Sequence, residues 1–193
     1  LVWVHPLSVP GGYVPGYFRG EAPHSMLTHS GYAVFAFDQI GCGARIGEVR
    51  DFYRRYPHWS LMGKQVADLR SAVDALRQHP RVEPDQIFLV GYAAGGLTAL
   101  HAAALDERVA GVITVGGFMP FRVDTAGQGT GGVARWSRWV PWLPRLGAFV
   151  GNEARIPYDL PDLLRLVAPR TALIITPGID SQAVLAEVQR GVT

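Results

Sequence analysis

The 193-residue chain has one cysteine, Cys42, so no internal disulfide can form. Its six histidines are scattered, and none stands at ligand spacing from that cysteine, so no metal site is legible. No apolar run approaches the roughly 18 residues needed to span a bilayer. No basic-then-apolar start reads as a signal peptide, so the expectation is no membrane association and, by default, the cytoplasm. The formal net charge is only +2, too small an excess to point to nucleic acid. No histidine occurs after His101. Oligomeric state leaves no mark in this sequence.

What is present suits a folded domain. Nearly half the residues are hydrophobic (48%) and 18% are charged, a composition that supports a packed core at this length. We expect one domain over residues 1–193. The chain opens inside the apolar run Leu1-Val2-Trp3-Val4, a strand without lead-in, which suggests a piece of a longer chain.

Short apolar runs at 1–5, 32–37, 87–90, 109–115 and 171–176 alternate with helical patterns. That alternation predicts an α/β fold, a mostly parallel sheet with helices on both faces. Ser60 is a good N-cap, and Met62, Val66, Leu69, Val73 and Leu76 follow at helical spacing until Pro80. A second helix is expected over about 95–105, where Ala99, Ala102, Ala103 and Ala104 allow close approach to a sheet. Shorter helices are expected over 161–166 and 181–190. Residues 118–160 break the pattern with a glycine-rich stretch and the run Arg135-Trp136-Ser137-Arg138-Trp139, and read as a lid-like insertion.

One turn carries the functional argument. The strand Ile87-Phe88-Leu89-Val90 runs into Gly91-Tyr92-Ala93-Ala94-Gly95-Gly96 and directly into a helix. This is the setting of the nucleophile elbow, G-x-S-x-G, with alanine where the serine belongs. An ordinary glycine-rich turn, or one that binds phosphate, explains the motif equally well when it is taken alone. Its neighbours shift the balance. The first strand ends in His5-Pro6-Leu7-Ser8 before Gly11-Gly12, the second in Asp38-Gln39-Ile40-Gly41-Cys42-Gly43, and the last in Thr176-Pro177-Gly178-Ile179-Asp180.

In that order these segments resemble the α/β-hydrolase superfamily, nearest its dienelactone-hydrolase-like and acetyl-esterase-like branches. In family terms the strands look like the third to the seventh of eight, without the first two and the last. The resemblance implies a serine ester hydrolase that needs no cofactor and no metal. It places Ala93 at the nucleophile position, Asp180 as the acid, and the backbone N–H groups of Leu7 and Ala94 in the oxyanion hole. Pro6 departs from the family's usual H-G loop. His5, Tyr92, Trp136 and Arg138 are candidates to touch a small ester or lactone, including carbohydrate and aromatic acyl esters. Asp180 also reads as a plain helix N-cap, Asp38 as a loop brace, Cys42 as packing, and the Trp/Arg run as a lid packed on its own domain.

With alanine at 93 and no later histidine, the chain as written is expected inactive by the triad route. Three readings stay open. One is a serine hydrolase whose nucleophile has been replaced. Another is a natural pseudo-hydrolase that binds or interacts. The third is a non-hydrolytic member using only pocket and oxyanion hole. A nucleotide-binding domain fits poorly, because its glycine loop follows the first strand of the fold.

Overall fold

The computed structural model describes residues 1–9, 11–13, 20–139, 141–181 and 183–192. Five strands form one sheet: β1 (Val2–Val4), β2 (Phe35–Ala36), β3 (Phe88–Tyr92), β4 (Gly111–Val115) and β5 (Thr171–Ile175). All pairings are parallel, and the spatial order is β2-β1-β3-β4-β5. Each expected strand is present, and β1, β2, β4 and β5 are shorter than the apolar run that predicted them.

The order follows from handedness. The chain leaves β1 outward through α1 (Pro23–His29) to β2, then crosses back over β1 through α3 (Leu61–Arg77) to β3. Right-handed crossovers in opposite directions put α1 and α3 on opposite faces of the sheet. From β3 onward the chain runs one way, through α4 (Ala94–Leu105) to β4 and α5 (Leu160–Val167) to β5. The direction therefore reverses between β1 and β3. In open α/β sheets the crevice at the carboxyl ends of such strands is where ligands bind.

On the α3/α4 face, Val2, Val4, Leu89 and Val112 are buried with Leu69, Leu97 and Leu100. Ser60 caps α3 by accepting from Gly63 N–H at 2.9 Å, and Met62, Val66, Leu69 and Val73 are buried as their spacing predicts. Helix α4 is buried nearly all round, with Ala99, Ala102 and Ala103 at 0–1% exposure. The other face is less covered. Trp3, Val90, Ile113 and Leu173 share it with Met26 and Leu27 of α1, and Leu173 and Ile175 remain exposed. Helices lie on both faces, but unequally: among the described residues, no helix beyond α1 shields the β4–β5 end of this face.

The remaining helices are α2 (Phe52–Arg55) and α6 (Leu185–Val192). Helix α6 begins later than the sequence pattern suggests, because Asp180 and Ala183 are tied in a turn, Ala183 N–H donating to the Asp180 carbonyl. Between 118 and 160 the backbone forms short turns of helix, at Phe121–Val123, Arg135–Trp139, Pro144–Phe149 and Glu153–Arg155. Trp142 is fully buried, and its indole N–H donates to Gln65 Oε1 at 2.8 Å. The Thr98 hydroxyl donates to the same oxygen at 3.3 Å. Gln65 thus joins α3, α4 and the 118–160 segment. Gln65→Leu is expected to leave the buried indole N–H without its acceptor and to cost about 1–3 kcal/mol in urea unfolding. A loss below about half a kcal/mol would show that this bond does not anchor the segment.

Candidate active site

The site is built where β1 and β3 end. At the end of β1, His5 is buried (1% exposed) and both ring nitrogens are engaged. Gln39 N–H donates to Nε2 at 2.9 Å, so the proton sits on Nδ1, which donates to the Pro6 carbonyl at 2.6 Å. The Gln39 side chain donates back to the His5 carbonyl at 2.7 Å. Burial pushes the His5 pKa down, opposed by the Pro6 bond and the charge of Asp38. His5 is a neutral staple between the loops after β1 and β2.

Asp38 braces the same region. Its carboxylate accepts from Tyr13 N–H at 3.0 Å and from Ala44 N–H at 2.8 Å. Gly12 and Gly43, both at positive φ, make room for it: a Cβ on either would lie 2.0–2.2 Å from its carboxylate oxygens. Cys42 is buried at 1% exposure, and burial raises its thiol pKa.

At the end of β3 the backbone turns sharply. Ala93 has φ 50° and ψ −119°, the one non-glycine residue at positive φ among the described residues. Such a conformation costs about 1–3 kcal/mol and persists only where the surroundings impose it. They do so here. Ala93 N–H donates to the Val115 carbonyl at 2.8 Å, and its carbonyl accepts from Leu97 N–H at 3.1 Å. Gly91, Gly95 and Gly117 allow backbone to pass where any side chain would collide. A Cβ on Gly95 would lie 2.1 Å from the Val4 carbonyl oxygen, and one on Gly117 2.0 Å from that of Ala93.

Ala93, Ala94 and Leu7 line one cavity of about 200 Å³ together with Phe121, Arg135 and Trp136. Ala94 is the first residue of α4, so its N–H has no partner within the helix. Neither it nor Leu7 N–H donates to another protein group among the described residues. Asp180, half-buried, lies across Gly116: from the point where a Gly116 Cβ would stand, Asp180 Oδ2 is 3.1 Å away and Ala93 Cα 3.8 Å. The helix that follows starts at Leu185, so Asp180 is not its N-cap.

Arg135 supplies a buried cation in the cavity wall. Its guanidinium pairs with Asp124 at 3.2 Å, donates to the Thr130 carbonyl at 2.7 Å, and lies 4.6 Å from the centroid of the Trp136 ring. Desolvation lowers its pKa, against the opposing charges of Asp124 and then Asp180. Desolvation likewise raises the Asp124 pKa, against Arg135.

Of the residues singled out in the sequence, the structure brings Leu7, Ala93, Ala94 and Trp136 around one cavity and puts Asp180 beside it. Three others it does not bring there. His5 is locked behind the loop. Tyr92 points to the opposite face of the sheet, beside Trp3 and Val90. Arg138 is exposed and lines no part of the cavity. Arg135 takes the place expected of Arg138. Both arginines belong to the same Trp/Arg run, and the pairing of Arg135 with Asp124 decides which of them enters the wall. Among the described residues, no group of three His, Cys, Asp or Glu could hold a metal ion.

Comparison with known proteins agrees with the fold. The family model Hydrolase_4, serine aminopeptidase S33, matches residues 18–158. Polyketide transferase af380 of Aspergillus fumigatus is 36% identical over 126 residues, 56% of this chain and 41% of that protein. A CE15 glucuronoyl esterase from Teredinibacter turnerae superposes with a TM-score of 0.69 at 20% identity, over 98% of this chain and 52% of that one. Another, from Caldicellulosiruptor kristjansonii, gives 0.66 at 24%, over 98% and 56%. At these identities the structural likeness speaks for the fold. The matched segments span less than half the length of the curated relatives. Since the family model covers well over half of the chain, the chain belongs to the serine aminopeptidase S33 family of α/β hydrolases.

Proposed function

We propose that this chain carries the acyl-binding half of an ester-hydrolase site, with Ala93 at the position of the nucleophile. The observation that carries the reading is the backbone at Ala93: a strained positive-φ turn that lines the same cavity as Leu7 and Ala94, whose N–H groups have no protein acceptor among the described residues. A carbonyl carbon held over residue 93 would direct its oxygen to Leu7 and Ala94 N–H, where the N-terminus of α4 adds partial positive charge. Asp180 takes the role of the acid that orients a histidine. Arg135 and Trp136 form the substrate side.

In this reading the chain binds an acyl group and does not transfer it. Alanine has no atom to attack with, and no histidine lines the cavity among the described residues. His5 and His101 have both ring nitrogens engaged, so neither is placed to take a proton. The substrate class is a small ester or lactone. The cavity volume suits a short acyl group, and a relative named as a polyketide transferase and structures named as glucuronoyl esterases fit acyl esters, carbohydrate-linked ones included.

Ala93→Cys tests this directly, because a thiol needs less activation than a hydroxyl and a helix N-terminus lowers its pKa. With p-nitrophenyl acetate near neutral pH, mass spectrometry should find one acetyl group per chain on the new thiol. Iodoacetamide should alkylate it about tenfold faster than the buried Cys42. A folded variant that acquires no acetyl group would refute the assignment of position 93.

A further inference from the structure

A second cavity, of about 410 Å³, opens between the segment around residues 53–60 and the far side of the 118–160 segment. It shares no lining residue with the cavity at Ala93. Its volume lies within the range of small-molecule sites, about 300–1,000 Å³. Tyr53, Trp59, Phe149 and Tyr158 give it four aromatic walls. Trp59 is held there while 49% exposed.

The charge of the wall is one-sided. Among the described residues no Asp or Glu lines the cavity, whereas Arg145 does, with His58 beside it. Arg145 donates to the His58 carbonyl at 3.3 Å and has no carboxylate within 4.0 Å among the described residues. A guanidinium without a counter-charge, at the edge of an aromatic cleft, selects for a flat ring that carries an anion. We propose that this cavity is a binding site for an aromatic carboxylate, its ring between Trp59 and Tyr158 and its carboxylate on Arg145. Tyr158 also packs edge-on against Phe121, with ring centroids 6.2 Å apart, and Phe121 lines the cavity at Ala93. One ring pair therefore separates the two sites.

The test is calorimetric titration with 2-naphthoate, the neutral 2-naphthylmethanol and octanoate. Naphthoate should bind about tenfold more tightly than either of the others. Arg145→Gln should bring naphthoate to the affinity of the alcohol, and Trp59→Ala should weaken both aromatic ligands about tenfold. Both residues are exposed, so neither variant threatens the fold. Trp136→Ala, in the wall of the other cavity, should leave all affinities unchanged. Equal binding of acid and alcohol, octanoate as tight as naphthoate, or no detectable binding would each overturn the proposal. Loss of binding in Trp136→Ala would move the ligand to the cavity at Ala93 and overturn it as well.

Discussion

Gly95→Ala is expected to destabilise the protein by about 3–4 kcal/mol, if it folds at all. The added methyl would lie 2.1 Å from the Val4 carbonyl oxygen, 2.5 Å from that of His5 and 2.8 Å from the Val4 carbonyl carbon. All three are backbone atoms of β1 or the loop after it, so no side chain can rotate away. Relief requires α4 to move off the end of β1, and α4 is the most buried helix of the domain. Such a shift would also displace Leu7 from the cavity it shares with Ala94. Gly129→Ala is the matched control, since nothing lies within 4 Å of its added Cβ and its φ is not positive. It should change stability by no more than about 0.5 kcal/mol. Urea unfolding of both variants gives the comparison. A cost below about 1 kcal/mol for Gly95→Ala would mean that β1 and α4 do not meet as closely as described.

The same contact explains why the turn was legible in the sequence while much of the cavity around it was not. Glycines at 91, 95 and 96 after a short apolar run reflect local backbone crowding, which single-sequence patterns record well. Ser60 and the spacing of Met62, Val66 and Leu69 likewise fixed α3 with little help from the rest of the chain. The roles of His5, Tyr92 and Arg138 depended on tertiary placement. His5 follows a strand, as an active-site residue would, but Gln39, 34 residues away, closes around its ring. Tyr92 is next to the turn in sequence, yet the alternation of β3 sends it to the opposite face from the cavity. Arg138 and Arg135 are one motif in the sequence. The wide, π-helical turn at 135–139 buries one against Asp124 and exposes the other. The uneven cover of the sheet was hidden for a different reason: strand composition shows that a face is apolar, not what lies against it.

The largest pH effect is expected at His101. It is buried inside α4, with Nδ1 donating to the Leu97 carbonyl at 2.8 Å and Nε2 accepting from the Tyr158 hydroxyl at 3.0 Å. Desolvation lowers its pKa from 6.5 to about 4, only partly opposed by the Leu97 bond. The unfolded chain therefore takes up a proton near pH 6.5 that the folded chain refuses until about pH 4. Stability is at its full value above pH 6.5 and falls as pH drops through that window. The total loss is about 3 kcal/mol at 1.36 kcal/mol per pKa unit. His5, also lowered by burial, adds to the fall with the same sign. Asp106 and Glu48, whose pKa values lie below the ordinary carboxylate range through Arg108 and Arg45, add theirs only at the acid end of it. His101→Gln isolates the imidazole, because glutamine fills similar space and does not titrate. The variant should be less stable than the parent near neutrality, and the difference should shrink or reverse by pH 4.5 in urea unfolding series. Parallel curves for parent and variant would mean that His101 takes up its proton as readily in the folded state as in the unfolded chain, and that its burial and its bond to Tyr158 are not as described.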